Sequence, residues 1–148
     1  MTVTSDARQA WLGLLARAPE GRVAALLAEA GLAPAFDWLR QPEIGTVMVR
    51  GRMGGTGGAF NLSEMTVTRT TLKLACGTVG HGHVAGRRKT DAQAVAIADA
   101  LLRTDKAASV EAQVLTPLEA EETQRRTARA AKAAATKVDF FTMVRGEG

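Results

Sequence analysis

This sequence has little cysteine, no tyrosine and no long apolar run. Its 148 residues include one cysteine, Cys76, and no tyrosine. One cysteine excludes an internal disulfide and a metal site built of thiolates. No run approaches the roughly 18 apolar residues of a membrane span, and the polar start, Met1 to Asp6, indicates no secretory signal. We therefore expect a cytoplasmic protein that does not enter the membrane.

Aromatic residues are scarce and the charge balance is only mildly basic. Four phenylalanines and two tryptophans leave few of the stacking platforms that single-strand nucleic-acid binders use. The formal net charge of +4 and a pI near 9.8 favour acidic or phosphorylated partners without singling out nucleic acid. A nucleic-acid-binding module is therefore the last of the functional hypotheses, and we expect no nucleic-acid partner.

Length and hydrophobic periodicity predict a single domain over residues 1–148. The fold class is α+β: a small antiparallel sheet of about three to four strands, with N-terminal helices, one middle helix and an extended C-terminal helix. Capping boxes at Thr90–Gln93 and Thr116–Glu119 predict where the last two helices begin. The expected elements are helices at 6–18 and 20–30, a helical turn at 34–39, strands at 44–50, 65–74 and 79–85, a helix at 90–103, a short strand at 110–115 and a helix from 117 to about 136.

The last helix carries hardly any large apolar residue between Glu119 and Lys132, whereas apolar residues cluster between Val138 and Val144. An alanine-rich polar helix forms on propensity but buries little. Residues 117–148 are either an arm whose apolar tip docks on a partner, or a helix that folds back and fills the core with Phe140 and Phe141. The docking arm is the organisation that we predict.

The most distinctive stretch is a glycine-dense loop between two β-rich runs, with five glycines between Gly51 and Gly58. It matches neither the Walker nor the dinucleotide pattern, because no Gly-Lys-Ser/Thr follows and the next element is a strand. Its backbone amides could still form an anion-binding nest beside Arg50 and Arg52. A structural or interface role is favoured over phosphate binding, and both stay open. Before the loop, apolar residues on both faces of the 44–50 strand predict that both faces are covered.

His81 and His83 lie two residues apart on a predicted strand, so both side chains point to one face. Two imidazoles can chelate a metal, or one can act as an acid or base. No third ligand lies nearby in the sequence, and Gly80 and Gly82 indicate tight packing instead. We therefore predict no metal site.

A basic triplet, Arg87–Lys89, precedes a predicted helix N-terminus. Such a place suits a phosphate or a partner's carboxylates, and a solvated loop has the same composition. No Ser-His-Asp or paired-carboxylate pattern stands out, so no catalytic residue is predicted. From the residues alone, the chain is an α+β subunit without an evident active site of its own.

Five segments carry a resemblance to a known family. They are Glu43–Gly57, Phe60–Arg69, Gly80-His81, Gly86-Arg87 and Ala135–Gly146. Together they resemble the signature of the PhnG family, subunits of the carbon–phosphorus lyase complex of phosphonate catabolism. The resemblance spans nearly the whole chain, and its glycine-loop and terminal motifs are specific.

The resemblance implies membership in a core complex with three further kinds of subunit, two copies of each. In that family the assembly and an ATPase-like partner attach a phosphonate to ribose 5-triphosphate by displacing adenine from ATP. A later radical step on an iron–sulfur subunit breaks the carbon–phosphorus bond. The purine-displacing chemistry belongs to a large nucleosidase-like partner, against which this subunit packs. The resemblance thus implies no cofactor on this chain, ATP as a substrate of the complex and an iron–sulfur cluster on a partner.

The leading hypothesis is an accessory subunit, with the catalytic residues on the partner. The alternative is that this chain itself contributes phosphate- or substrate-binding residues to a shared active site. The candidate binding residues for that alternative are Arg50, Arg52, His81 and Arg87. The predicted interface residues are Gly54, Gly55, Gly57, Phe60, Phe140, Phe141 and Met143.

Overall fold

The computed structural model describes residues 4–52 and 57–146, and for residues 52, 59–62 and 138–146 it describes the backbone only. The elements are helices α1 (Ser5–Arg17) and α2 (Arg22–Glu29), strands β1 (Phe36–Arg52), β2 (Ala59–Leu74) and β3 (Val79–Ala85), helices α3 (Lys89–Leu101) and α4 (Ala107–Val110), a π-helical turn (Glu111–Leu115) and helix α5 (Thr116–Gly146). The strands form one antiparallel sheet in the order β1-β2-β3. The predicted α+β fold and three-stranded meander are therefore confirmed.

Helix α3 is the centre of the fold. It packs against β2 and β3 on one side and against α1 and α2 on the other, and every residue from Ala94 to Leu101 is buried. A helix enclosed on two sides cannot be amphipathic, which explains its run of alanine and branched apolar residues. The core is completed by Leu14, Leu15, Val23, Leu26 and Leu27 from α1 and α2, and by Leu72, Leu74 and Val84 from the sheet.

The first turn of α3 is fixed by an aspartate rather than by the predicted capping box. The helix begins at Lys89, so Thr90 lies inside its first turn and the prediction of a Thr90–Gln93 cap is wrong. The carboxylate of Asp91 accepts the Gly21 N–H at 2.9 Å and the Arg88 Nε at 2.7 Å. The Arg88 Nη2 also donates to the Ala18 carbonyl at 3.0 Å. These bonds join the start of α3 to the turn between α1 and α2.

Residues 34–39 are not helical, because β1 begins at Phe36. Phe36 and Trp38 are half-buried against the core while Asp37 and Leu39 between them are exposed, which is the period of a strand. The two rings meet edge to face with centroids 4.8 Å apart. Burial of this aromatic pair outweighs the weak local tendency to form a turn of helix.

The predicted strand at 110–115 is also wrong, because this segment is helical. Val110, Val114 and Leu118 are spaced four residues apart and are all essentially buried, which is a helical stripe. Helix α5 begins at Thr116, next to the predicted start. The helical path reaches it unbroken, and the Thr116 N–H bonds the Glu111 carbonyl, so Thr116 does not cap a free helix end as the second capping box predicted. The wide π turn accommodates Pro117, which lacks an N–H and crowds the preceding turn of an ordinary α-helix.

Helix α5 has 31 residues and is about 46 Å long. Beyond Leu118, its side chains through Lys137 are exposed or half-exposed, so the prediction that it buries little is confirmed for this part. Two ion pairs, Arg17–Glu122 at 3.1 Å and Arg22–Glu121 at 2.7 Å, attach its first turns to α1 and α2. Within the described residues, no helix is long and apolar enough to cross a bilayer.

Candidate functional site

Strands β1 and β2 extend well beyond β3. They pair with each other from Phe36 opposite Leu74 to Arg52 opposite Ala59, whereas β3 pairs only with Val67–Lys73 of β2. Residues 46–52 and 59–66 therefore form a two-stranded projection. We call this projection, together with Ile44 and Gly45 at its base, the hairpin arm. A two-stranded ribbon is at best marginally stable in water by itself, so further contacts are needed to stabilise it.

The hairpin arm presents apolar side chains on both faces. Ile44 is 40% exposed and Met48 47% exposed on one face, and Met65 is 41% exposed beside half-buried Val47 on the other. Leu39, nearer the base of β1, is 55% exposed. The sequence predicted that both faces of this strand are covered, but the described part of the chain supplies no full cover for either face.

The structure does not bring the four predicted binding residues together. Arg50 lies on the arm opposite Asn61, and His81 lies on β3 opposite Thr71. Asn61 and Thr71 are ten residues apart along β2, so these two sites are separated by about 33 Å. Arg52 ends β1 near the arm's tip, and Arg87 is exposed between β3 and α3.

The predicted interface residues fall at the arm's tip and in α5. Gly54 and Gly55 lie outside the described residues, and Gly57 is the first described residue after them. Phe60 is in β2 opposite Gly51. Phe140, Phe141 and Met143 are in α5, and like that of Phe60 their side chains lie outside the description. Their interface role stays a prediction.

His81 and His83 share the face of the sheet that points away from α3, as predicted. Directly across from them on β2 lie Thr71 and Arg69. With Arg40 of β1, these side chains line a pocket of about 210 Å³. The Thr71 Oγ1 lies 3.2 Å from the His81 Nδ1, which leaves Nε2 as the ring nitrogen for another contact. Sequence reasoning missed Arg40 and Arg69, because only the register of three strands places them here.

Beneath His81, the fully buried carboxylate of Asp99 joins α1, α3 and β3. Its Oδ1 accepts the Trp11 Nε1 at 2.9 Å and the Arg8 Nε at 3.1 Å, and its Oδ2 accepts the Arg8 Nη2 and the His81 N–H, both at 2.9 Å. Burial raises the pKa of Asp99, but the hydrogen bonds from Arg8, His81 and Trp11 outweigh it, so the pKa is lower than usual. Asp99 is therefore a charged structural centre.

The same elements also shift the imidazole of His81. Burial lowers the pKa of His81, and the charges of Arg8 and Arg103 lower it further against the opposing effect of Asp99. His81 is therefore neutral near pH 7, and the positive charge of the pocket comes from Arg40 and Arg69. Glu43, 4.0 Å from Arg40 and opposite Arg69 across the strands, offsets part of that charge.

A larger cavity of about 490 Å³ lies between α1 and the helical segment that leads into α5. Its walls are mostly apolar, with Trp11, Leu14, Leu102 and Leu115 among them, and its charged lining residues are two glutamates. It offers no cation to a phosphorylated ligand. Among the described residues, no three His, Cys, Asp or Glu side chains gather where they could hold a metal ion.

These features are those of a small α+β protein in which three of the exposed large apolar side chains of the described residues lie on one projecting arm. The class that they indicate is a protein that works bound to another polypeptide.

Comparison with known proteins gives the family. The sequence model described as "Phosphonate metabolism protein PhnG" matches residues 6–146, and the chain belongs to that family. It is 46% identical over 144 residues to the alpha-D-ribose 1-methylphosphonate 5-triphosphate synthase subunit PhnG of Rhizobium meliloti (strain 1021). That alignment covers 95% of this chain and 90% of the relative. The resemblance found in the sequence motifs is confirmed.

Proposed function

We propose that this chain is an accessory subunit of a ribose 1-methylphosphonate 5-triphosphate synthase, with the catalytic residues on a partner. The name of its relative, a subunit of that synthase, supports the assignment. The complex would transfer a phosphonate to ribose 5-triphosphate and displace adenine from ATP. The family resemblance supports a hetero-oligomer with two copies of each subunit, the closest contact being with the large nucleosidase-like subunit. ATP is then the substrate of the complex, and the iron–sulfur cluster belongs to a partner.

The hairpin arm is the observation that carries this proposal. Fully burying an exposed methionine or isoleucine side chain contributes about 1.5–3 kcal/mol. Ile44, Met48 and Met65 of the arm are 40%, 47% and 41% exposed, so covering each contributes roughly half of that energy. A partner that covers both faces gains this energy and stabilises the ribbon at once. Arm and partner therefore stabilise each other, which is the behaviour of an obligate subunit.

Met48→Lys is expected to weaken assembly strongly. The substitution places a charge on an apolar face that the partner desolvates, and its cost is at least about tenfold in affinity. Co-expression with the other synthase subunits, followed by light scattering on a sizing column, reports the mass of the assembly. Wild-type chain should elute in a discrete large complex and as a smaller species when expressed alone.

Leu39→Lys is the matched control, because it makes the same exchange at an exposed apolar residue of the same strand outside the arm. It should assemble like the wild type. A Met48→Lys variant that forms an intact and fully active complex would contradict the proposed role of the arm.

The basic pocket favours a second candidate function, in which this chain supplies phosphate-binding groups to a shared site. Arg69→Gln should then raise the KM of the assembled complex for its phosphorylated substrate about tenfold, since one charge-assisted hydrogen bond is lost. Arg50→Gln removes the same charge from the arm, about 33 Å from His81 by the strand rise. If the pocket binds substrate, Arg50→Gln leaves KM unchanged. Equal kinetics for Arg69→Gln and wild type, in a complex of normal mass, would remove this candidate.

A further inference from the structure

The two edge strands of the sheet, β3 and β1, differ in whether side chains bond their outward backbone groups. On β3, the Asp99 carboxylate accepts the His81 N–H and the Arg103 Nη2 donates to the Val79 carbonyl, so side chains from α3 bond the backbone of that edge. Natural proteins cover or interrupt edge strands because unpaired backbone groups attract further strands. Strand β1 forms the opposite edge of the sheet.

Which backbone groups of β1 face outwards follows from the register. The Gly86 N–H donates to the Thr66 carbonyl at 2.7 Å and the Leu74 N–H to the Thr78 carbonyl at 2.9 Å, so even-numbered residues of β2 point towards β3. Odd-numbered residues of β2 consequently point towards β1. The outward direction of the His81 N–H, opposite odd-numbered Thr71, agrees with this assignment.

The odd-numbered residues Met65 and Val67 lie opposite Val47 and Gly45, so these two residues of β1 bond β2. The residues between and beside them, Ile44, Thr46 and Met48, must turn their N–H and C=O groups to the open edge. Within the described residues, none of these six groups has a hydrogen bond to another part of the chain. The open edge also carries the side chains of Ile44 and Met48, which are exposed.

Features that block the addition of another strand occur elsewhere along β1, but not between Glu43 and Val49. The base of the strand has irregular register between Trp38 and Arg40 and between Arg40 and Glu43, and it contains Pro42. The register is irregular again between Val49 and Arg50. Bulges and proline are the usual means of blocking strand addition. From Glu43 to Val49 the pairing is regular, and no such device interrupts the edge.

We infer that an extended segment of a partner subunit adds to β1 along Glu43–Val49 as the fourth strand of this sheet. This inference rests on the proposed function and specifies how the arm binds. Main-chain hydrogen bonds to Ile44, Thr46 and Met48 would fix the register, and alternate apolar residues of the added strand would cover Ile44 and Met48. The rest of the partner would cover the opposite face at Met65.

A second copy of this chain fits the edge of β1 less well than a different subunit does. Pairing two arms edge to edge would give a ribbon of four strands, with Ile44 and Met48 still in water on one face and Met65 on the other. A partner thick enough to cover both faces buries more apolar surface for the same main-chain hydrogen bonds. The observed exposure on both faces therefore favours a different and larger subunit.

Thr46→Pro tests the added strand. Proline removes the outward N–H and places its ring where the partner strand would lie, while the bonds from Gly45 and Val47 to β2 are untouched. The preceding Gly45 is already in a strand, the conformation that a following proline favours. We expect assembly with the co-expressed synthase subunits to weaken about tenfold or more. Thr46→Val keeps the N–H and nearly the same shape, and should assemble like the wild type.

Hydrogen exchange in the wild-type complex tests the same inference without a variant. The amides of Ile44, Thr46 and Met48 should exchange as slowly as that of Val47, which β2 protects. Exchange of the outward amides at the rate of open backbone in the complex would overturn the inference, even if Thr46→Pro failed to fold.

The outcomes separate this inference from the proposed function. If Met48→Lys prevents assembly while a folded Thr46→Pro variant assembles normally, the arm binds through its faces alone and the added strand is wrong. If both variants assemble normally, the role of the arm is wrong as well. The chain expressed alone could instead form a dimer that Thr46→Pro dissociates, while the synthase complex is unaffected. That result would assign the edge to a second copy of this chain and overturn the inference.

Discussion

Asp99→Ala should lower the free energy of unfolding by about 3 kcal/mol, since it leaves several donors of a buried network unpaired. The Trp11 indole and the His81 N–H lose their acceptor, and Arg8 loses both of its hydrogen bonds. Arg8 is partly exposed and can be rehydrated, which keeps the cost below that of a wholly buried orphan charge. Urea unfolding of the full-length chain measures the difference. Asp105→Ala, an exposed carboxylate in the loop after α3, is the control and should change stability by less than about 0.5 kcal/mol.

The stability difference between wild type and Asp99→Ala should become smaller in acid. The pKa of Asp99 is lower in the folded chain than in the unfolded one, so its charged form stabilises the fold. That contribution is complete above the unfolded pKa of about 3.9 and is lost as the pH falls through the folded value. The stability difference between wild type and Asp99→Ala should therefore be constant from pH 7 to about 4.5 and decrease in more acidic solution. A difference that grows on acidification would show that Asp99 is not held as a carboxylate.

Gly82→Ala should destabilise the chain by about 2–3 kcal/mol, because the added methyl group has no space. A Cβ on Gly82 would overlap the carbonyl oxygen of Ala92, and one on Gly80 would overlap that of Ala96. Both obstacles are backbone atoms of α3, so no side-chain rotation relieves the overlap and the whole helix must shift. Because α3 also binds the edge of β3, the variant should loosen β3, with faster exchange of the His81 amide.

Gly45→Ala is the matched control for crowding within the same sheet. Gly45 lies in β1, a Cβ there would meet no atom within 4 Å, and its φ is not in the left-handed region. Its stability should change by less than about 0.5 kcal/mol, with a slight increase on entropic grounds. Equal losses at Gly82 and Gly45 would mean that glycine flexibility, rather than the close approach of α3, sets the requirement.

The sequence determined by itself the properties that depend on local pattern. Short runs rich in apolar and β-branched residues indicated the three strands, and the helical stripes indicated α1, α2 and α3. The glycines of β3 indicated close packing, which Gly80 and Gly82 confirm. The family was recognisable from short motifs, because those motifs are contiguous in the chain. The helical stripe of Val110, Val114 and Leu118 was equally readable, and the error there came from taking a short apolar run for a strand.

Only the tertiary structure shows which apolar surfaces the chain leaves exposed. Sequence patterns show that β1 is apolar on both faces, but which of its residues stay exposed depends on strand pairing and helix packing between segments distant in sequence. The roles of Asp91 and Asp99 were likewise invisible, because their partners Gly21, Arg8 and Trp11 lie 70 or more residues away. Local energies fix elements, whereas burial and hydrogen bonding between distant segments fix which surfaces remain free for a partner.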